Sequence, residues 1–259
     1  MIPHSQFFSV DDAVLHFTDS GNTDAHPLLL LHGGLGSIDD MSSLLPYIPA
    51  HYRVIQLDLR GHGQSTLGTQ PLSYQRYEQD IEALLTHLGI NTFALLGFSD
   101  GGITAYRLAA KHPERVTAVV TLGAQWRLDD NDPSREMLEG LTADFWRAQF
   151  PQTVEHYNNT NPAADFDQLV AAVKTLWLDN SASGYPNTLV TEISCPILIM
   201  RGEHDYLFSL EEAVALIQQI PNAHFMNIPF AEHEAQREVP FITGAAVQHF
   251  LSLQLDNNA

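Results

Sequence analysis

The chain has 259 residues, with 12 Lys and Arg against 31 Asp and Glu, a formal net charge of −19 with neutral histidine, and 44% apolar residues against 17% charged. That length and apolar content suit one large domain with a buried core rather than a disordered chain. The excess of acid weighs against a nucleic-acid backbone or an anionic membrane surface as a partner.

Short β-rich runs alternate with helix-period segments, the pattern of βαβ units around a mainly parallel sheet, so the expected fold class is α/β. The predicted strands are residues 7–9, 14–18, 28–31, 53–57, 93–96, 116–122, 197–201 and 224–228. Several are continuous hydrophobics, as strands covered on both faces by helices require. Tyr77, Ile81, Leu84, Leu85 and Leu88 form an apolar stripe at helical spacing that stops at Gly89. The rhythm breaks between about 125 and 186, where Trp126, Trp146 and Trp177 sit among acids, asparagines and helix-like patches. This segment reads as a helical cap inserted into a core of residues 1–124 and 187–259. It would overhang the C-terminal strand edge, where open α/β sheets bind ligands. Its tryptophans, with Phe145, Phe150 and Phe166, would bound an apolar pocket. Beyond it, Ser209 and Glu212 have the spacing of a capping box that starts another helix.

The longest apolar runs, such as 28–31 and 213–217, fall far short of the roughly 18 residues of a membrane span. Residues 1–6 carry neither the basic nor the apolar region of a secretory signal, and a single cysteine, Cys195, cannot form an intramolecular disulfide. The cytoplasm is therefore the expected compartment.

Gly97-Phe98-Ser99-Asp100-Gly101 matches G-x-S-x-G between a predicted strand and a predicted helix. A strand that turns this sharply into a helix raises the serine Oγ at the sheet edge, and flanking glycines relieve the crowding. Ser99 is thus the candidate nucleophile. A serine hydroxyl needs a base, and the base needs a carboxylate to fix its tautomer. Asp205, in the loop after strand 197–201, is the preferred acid, with Glu203 the competitor. His233, in the loop after the last strand, is the preferred base, because His224 lies in a strand, His249 on the final helix and His204 in the acid loop.

The developing oxyanion needs two donors. One is the backbone N–H of Asp100. The other comes from His32-Gly33-Gly34-Leu35-Gly36, with Gly34 preferred and Leu35 the alternative, while His32 reads as structural. Leu35, Phe98 and Asp100, which flank the nucleophile and this turn, are the expected substrate contacts. His233-Glu234 lacks the second histidine of H-E-x-x-H, and no G-x-G-x-x-G or Walker pattern follows a strand. No metal and no cofactor are expected, and the expected partner is a small-molecule ester.

Jointly, His32-Gly33-Gly34, Asp58-Leu59-Arg60-Gly61-His62-Gly63-Gln64-Ser65, the elbow 97–102, Gly202-Glu203-His204-Asp205 and His233 resemble the α/β-hydrolase fold superfamily over essentially the whole chain. The resemblance implies a Ser99, His233 and Asp205 triad and an acyl-enzyme released by water. It gives the Asp58–Ser65 turn a structural role. Serine at the elbow argues against the haloalkane dehalogenases and epoxide hydrolases, which are similar in fold but use an aspartate there. The elbow is similar to that of valacyclovir hydrolase, which implies that Asp100 recognises a substrate amine; the competing reading is an acid favoured by a helix N-terminus. The expected activity is hydrolysis of small carboxylic esters. Amino-acid esters, enol-lactones and carbon–carbon bonds of ring-cleavage products are the alternatives, and a non-catalytic ligand receptor on the same fold is the reading from another class.

Overall fold

The computed structural model describes residues 4–256. Eight strands form one sheet: β1 (His4–Val10), β2 (Ala13–Asp19), β3 (His26–Leu31), β4 (Tyr52–Leu57), β5 (Phe93–Phe98), β6 (Val116–Leu122), β7 (Ile197–Gly202) and β8 (Ala223–Ile228). Their order is β1-β2-β4-β3-β5-β6-β7-β8. β2 runs antiparallel to both its neighbours, and every pair from β4 to β8 is parallel. All eight predicted strands are present.

The central strands read as unbroken apolar runs because alternate residues feed two different cores. Leu29, Leu31, Phe93, Leu95, Val119, Ile197 and Ile199 join one apolar cluster, and Leu28, Leu30, Ala94, Leu96, Val120, Leu198 and Met200 join the other. The helices that cover the first face are α1 (Tyr74–His87) and α2 (Asp100–Lys111), through Tyr77, Ile81, Leu84, Leu85, Ile103 and Tyr106. α1 starts three residues before its apolar stripe because the Ser73 side chain caps it, accepting from the Arg76 N–H.

Between β6 and β7 the chain forms α3 (Pro133–Gly140), α4 (Ala143–Gln149), α5 (Pro151–Thr160) and α6 (Phe166–Trp177). After β7 come α7 (Leu210–Ile217), α8 (Ala235–Glu238) and α9 (Pro240–Asp256). α9, through Val247, Phe250 and Leu251, covers the second face together with Met41 and Leu44 of the 3-10 helix Ile38–Tyr47. Ser209 caps α7 by accepting from the Glu212 N–H, but only half of the expected capping box forms. The Glu212 carboxylate instead takes two bonds from the Arg127 guanidinium, both at 2.8 Å, a charge-assisted pair stronger than a return bond to the cap. Among the described residues no helix is long and apolar enough to cross a membrane.

Candidate active site

β5 ends at Phe98 and α2 begins at Asp100, leaving Ser99 alone to make the turn at φ 49° and ψ −116°. A side chain in this sparsely populated region costs of order 1–3 kcal/mol and persists only where the surroundings enforce it. Here they do. The Ser99 N–H donates to the Leu122 carbonyl at 2.8 Å, and the Ile103 N–H donates to the Ser99 carbonyl at 2.9 Å. A Cβ on Gly101 would stand 2.3 Å from the Leu31 carbonyl oxygen, so the start of α2 lies flush against β3.

His233 Nε2 lies 3.1 Å from Ser99 Oγ, and His233 Nδ1 lies 3.0 Å from Asp205 Oδ1. The Asp205 carboxylate accepts at Nδ1, so that nitrogen carries the proton and Nε2 is left to accept from the serine hydroxyl. Asp205 Oδ1 also accepts from the Leu207 and Phe208 amides at 2.9 and 3.0 Å. Glu203, the competing acid, accepts from the Phe230 amide and does not reach His233. The three residues drawn from three distant loops are thus in one hydrogen-bonded line.

Three neighbours of that line are not evident from spacing. Arg201, buried at the end of β7, ties down the acid loop: its Nε donates to the Phe208 carbonyl at 2.7 Å and its Nη2 to the Asp205 carbonyl at 3.2 Å. Gly123, at φ +56°, closes β6 where a Cβ would stand about as far from His233 Cε1 as from Asp205 Oδ2, at 2.9 and 3.0 Å. A glycine directly after a strand in the centre of the sheet was the available signal. Tyr206 sets its ring 5.9 Å from the His233 ring at the pocket mouth.

The turn after β3 is fixed by His32, which is fully buried. Its Nδ1 donates to the Gly33 carbonyl at 2.6 Å, and its Nε2 accepts from the Leu59 amide at 2.9 Å. Both nitrogens are consumed internally, which agrees with a structural role. The turn then brings Gly33 against Ser99, where a Cβ would stand 3.2 Å from the Ser99 Cβ, and carries Leu35 at φ 59°. The amides of Gly34, Leu35 and Asp100 donate to no acceptor among the described residues. Asp100 itself is only 1% exposed. Its Oδ1 accepts from the Tyr74 hydroxyl at 2.7 Å and from Trp177 Nε1 at 2.8 Å, and its Oδ2 lies 2.9 Å from the same indole nitrogen.

These groups meet in a cavity of about 570 Å³. It is lined by Leu35, Phe98, Ser99 and His233 from the loops around the sheet edge and by Leu138, Leu141, Trp146, Phe150 and Trp177 from the segment between β6 and β7. Its mouth is acidic: Asp40, Glu232, Glu234 and Glu238 line it with a single cation, Arg237, which is itself paired to Glu234 at 3.1 Å and Asp40 at 3.9 Å.

Burial alone would push His233 down, but the charge and hydrogen bond of Asp205 outweigh it, and the group lies above its ordinary value of 6.5. Burial likewise opposes ionisation of Asp205, yet His233 and the two amides hold its carboxyl below the usual range. Burial raises the Asp100 carboxyl, against the opposing bonds from Tyr74 and Trp177. A base must be neutral to accept a proton, so a base titrating above 6.5 is switched off as pH falls through its raised value. The acid limb of a kcat/KM profile for ester hydrolysis is expected to have its midpoint above pH 6.5. A midpoint below 6.5, from stopped assays in constant-ionic-strength buffers, would contradict the coupling to Asp205.

A family model described as the alpha/beta hydrolase fold matches residues 26–176. The chain is similar to a proline iminopeptidase of Xanthomonas citri, 28% identical over 234 residues that cover 88% of this chain and 73% of the other. It is also similar to the human serine hydrolase BPHL, 27% identical over 232 residues, covering 87% and 78%. A thermophilic esterase from Thermogutta terrifontis shares the fold with a TM-score of 0.75 at 23% identity, covering 98% of this chain and 99% of that one. With more than half of its length matched by the family model, this chain belongs to the α/β hydrolase fold family.

Proposed function

We propose that the chain is a serine hydrolase of small carboxylic esters, with Ser99 the nucleophile, His233 the base, Asp205 the residue that orients it, and the amides of Asp100 and Gly34 the oxyanion donors. The observation that carries this reading is the unbroken line from Ser99 Oγ through His233 to Asp205 at the edge of the cavity. His233 takes the hydroxyl proton as Ser99 attacks the ester carbonyl. Charge gathers on the carbonyl oxygen, where N–H groups already in place cost nothing to reorganise. His233 then returns the proton to the departing alcohol, and the same imidazole activates the water that releases the acid from Ser99. Residues 125–186 serve as a cap on a core of 1–124 and 187–259, with Leu35 and Phe98 against the acyl group. A chain with one cysteine, itself buried, suits a reducing cytoplasm.

The acidic mouth sorts the alternatives. Four carboxylates against one paired arginine repel a substrate that carries its own carboxylate, which disfavours ring-cleavage and enol-lactone acids relative to neutral or amine-bearing esters. At roughly 7 Å and an intermediate dielectric, one such repulsion is worth about 1 kcal/mol. A p-nitrophenyl hemisuccinate is therefore expected to show a kcat/KM about 10-fold below that of p-nitrophenyl butyrate, with the gap narrowing as salt rises from about 0.05 to about 0.5 M. Equal rates at low salt would remove the charge argument. The function itself is tested by hydrolysis of p-nitrophenyl esters from acetate to octanoate: turnover of short esters that vanishes in Ser99→Ala supports it, and turnover that survives Ser99→Ala ends it.

A further inference from the structure

Asp100 carries its backbone N–H toward the proposed oxyanion and its side chain the other way, into a buried contact with two aromatic donors. Tyr74 is the first residue of α1 and Trp177 the last of α6, so the carboxylate joins the core to the end of the helical segment. The contact continues onto the oxyanion turn. A Cβ at Gly34 would stand 2.2 Å from Asp100 Oδ2 and 2.6 Å from Trp177 Cζ2, so carboxylate and indole both lie flush on the backbone of that glycine.

The position of Trp177 is itself fixed from α1 and α2. The Tyr185 hydroxyl donates to the Trp177 carbonyl at 3.0 Å, and the Tyr185 and Tyr74 rings are 5.1 Å apart. The returning chain is held by Arg107 Nη1, which donates to the Ala182 and Gly184 carbonyls at 3.1 and 2.9 Å, and by the Gln75 amide, which donates to the Ser183 carbonyl at 2.9 Å. The helix that carries the nucleophile elbow therefore also clamps the segment that supports the oxyanion turn.

We propose that Trp177 and Tyr74 are positioning residues for the oxyanion turn: they hold the Asp100 carboxylate against Gly34, and so set where the Gly34 and Leu35 amides stand relative to Ser99. This rests on the reading of Ser99 as the nucleophile. The Tyr74 hydroxyl bonds one oxygen of the carboxylate, and the single indole N–H of Trp177 is shared between both. Oδ2 also lies against the backbone of Gly34, and Asp100 as a whole is 1% exposed although it borders the cavity, so its side chain is spent on the scaffold before a substrate ammonium arrives. The two donors also spread the charge of a desolvated anion that lies close to a developing oxyanion, where an unpaired carboxylate would oppose it. On this account the side chain of Asp100 belongs to the scaffold and its amide to the chemistry.

The test compares Trp177→Phe, Tyr74→Phe and Asp100→Asn with the unchanged enzyme on p-nitrophenyl butyrate and on a p-nitrophenyl ester of an α-amino acid. Loss of one oxyanion donor costs about 10²- to 10³-fold in kcat, and displacing a donor costs part of that, so Trp177→Phe is expected to lower kcat about 10-fold on both esters. The rate at which a fluorophosphonate modifies Ser99 should fall by the same factor, and the midpoint of the acid limb should not move. Tyr74→Phe, which removes one hydroxyl and keeps a buried ring, gives the same pattern at smaller size. An unchanged kcat with a lowered melting temperature would show a structural role only and overturn the proposal. A rise in KM confined to the aminoacyl ester in Asp100→Asn would overturn it in favour of amine recognition. Turnover that survives Ser99→Ala overturns the proposed function as well, whereas turnover lost in Ser99→Ala but unaltered in Trp177→Phe and Tyr74→Phe overturns the positioning claim alone.

Discussion

His233→Ala and Ser99→Ala are each expected to lower kcat for p-nitrophenyl butyrate about 10⁴- to 10⁶-fold, and the double variant to fall no further than the worse of the two. The reason is that the two side chains act in one event. Nε2 sits 3.1 Å from Oγ, so removing the imidazole leaves an ordinary alcohol, and removing the alcohol leaves the imidazole without a proton to take. What survives is catalysis by the proposed oxyanion donors and the pocket alone, which is common to all three variants. Steady-state rates at pH 8 with an active-site titration of the wild type measure this. Single-variant losses that multiply in the double variant would mean that Ser99 and His233 serve separate steps.

Gly97→Ala is expected to be strongly destabilising despite adding a single methyl group to the elbow. Its Cβ would stand 2.4 Å from the Gly101 carbonyl oxygen and 2.6 Å from the Gly102 nitrogen, and these are backbone atoms that no rotamer change can move. β5 is paired on both edges and cannot retreat, while Ser99 already sits at φ 49°. Overpacking of this kind costs about 3 kcal/mol or more. For a domain of this size that corresponds to a melting temperature about 6–12 °C lower. Gly140 at the end of α3 is the control, since a Cβ there meets nothing within 4 Å, and Gly140→Ala should leave the melting temperature almost unchanged. Equal melting temperatures for the two variants would show that the elbow is not held as tightly as its geometry implies.

The strands were legible because burial on both faces writes itself into composition: β3, β5 and β7 are nearly continuous runs of Leu, Ile, Phe and Met. The helical segment was less legible. α4 has no buried residue, and α3 and α5 bury only two each, so their apolar periodicity is too weak to mark boundaries. That Ser99, Asp205 and His233 lie together could be anticipated from order and from their places after strands, because a sheet edge collects loops regardless of the distance between them in sequence. Trp177 could not be paired with Asp100 that way. The two are 77 residues apart, and nothing local in either stretch specifies the contact. The same holds for Arg201, whose task is to hold carbonyls of the acid loop, and for Glu212, whose carboxylate follows Arg127 rather than its own helix cap. Local patterns specify elements and their order, whereas the side chains that lock a site together are chosen by packing across the fold.

The central claim is that Ser99 is a nucleophile activated by His233, and covalent trapping tests it most directly. Intact-mass and peptide mass spectrometry of the protein after treatment with a fluorophosphonate should show one adduct, located on the peptide containing Ser99, at a rate that rises with pH through the raised His233 value. Ser99→Ala should take up no label. No adduct on the wild-type protein, or an adduct on another residue, would contradict the account.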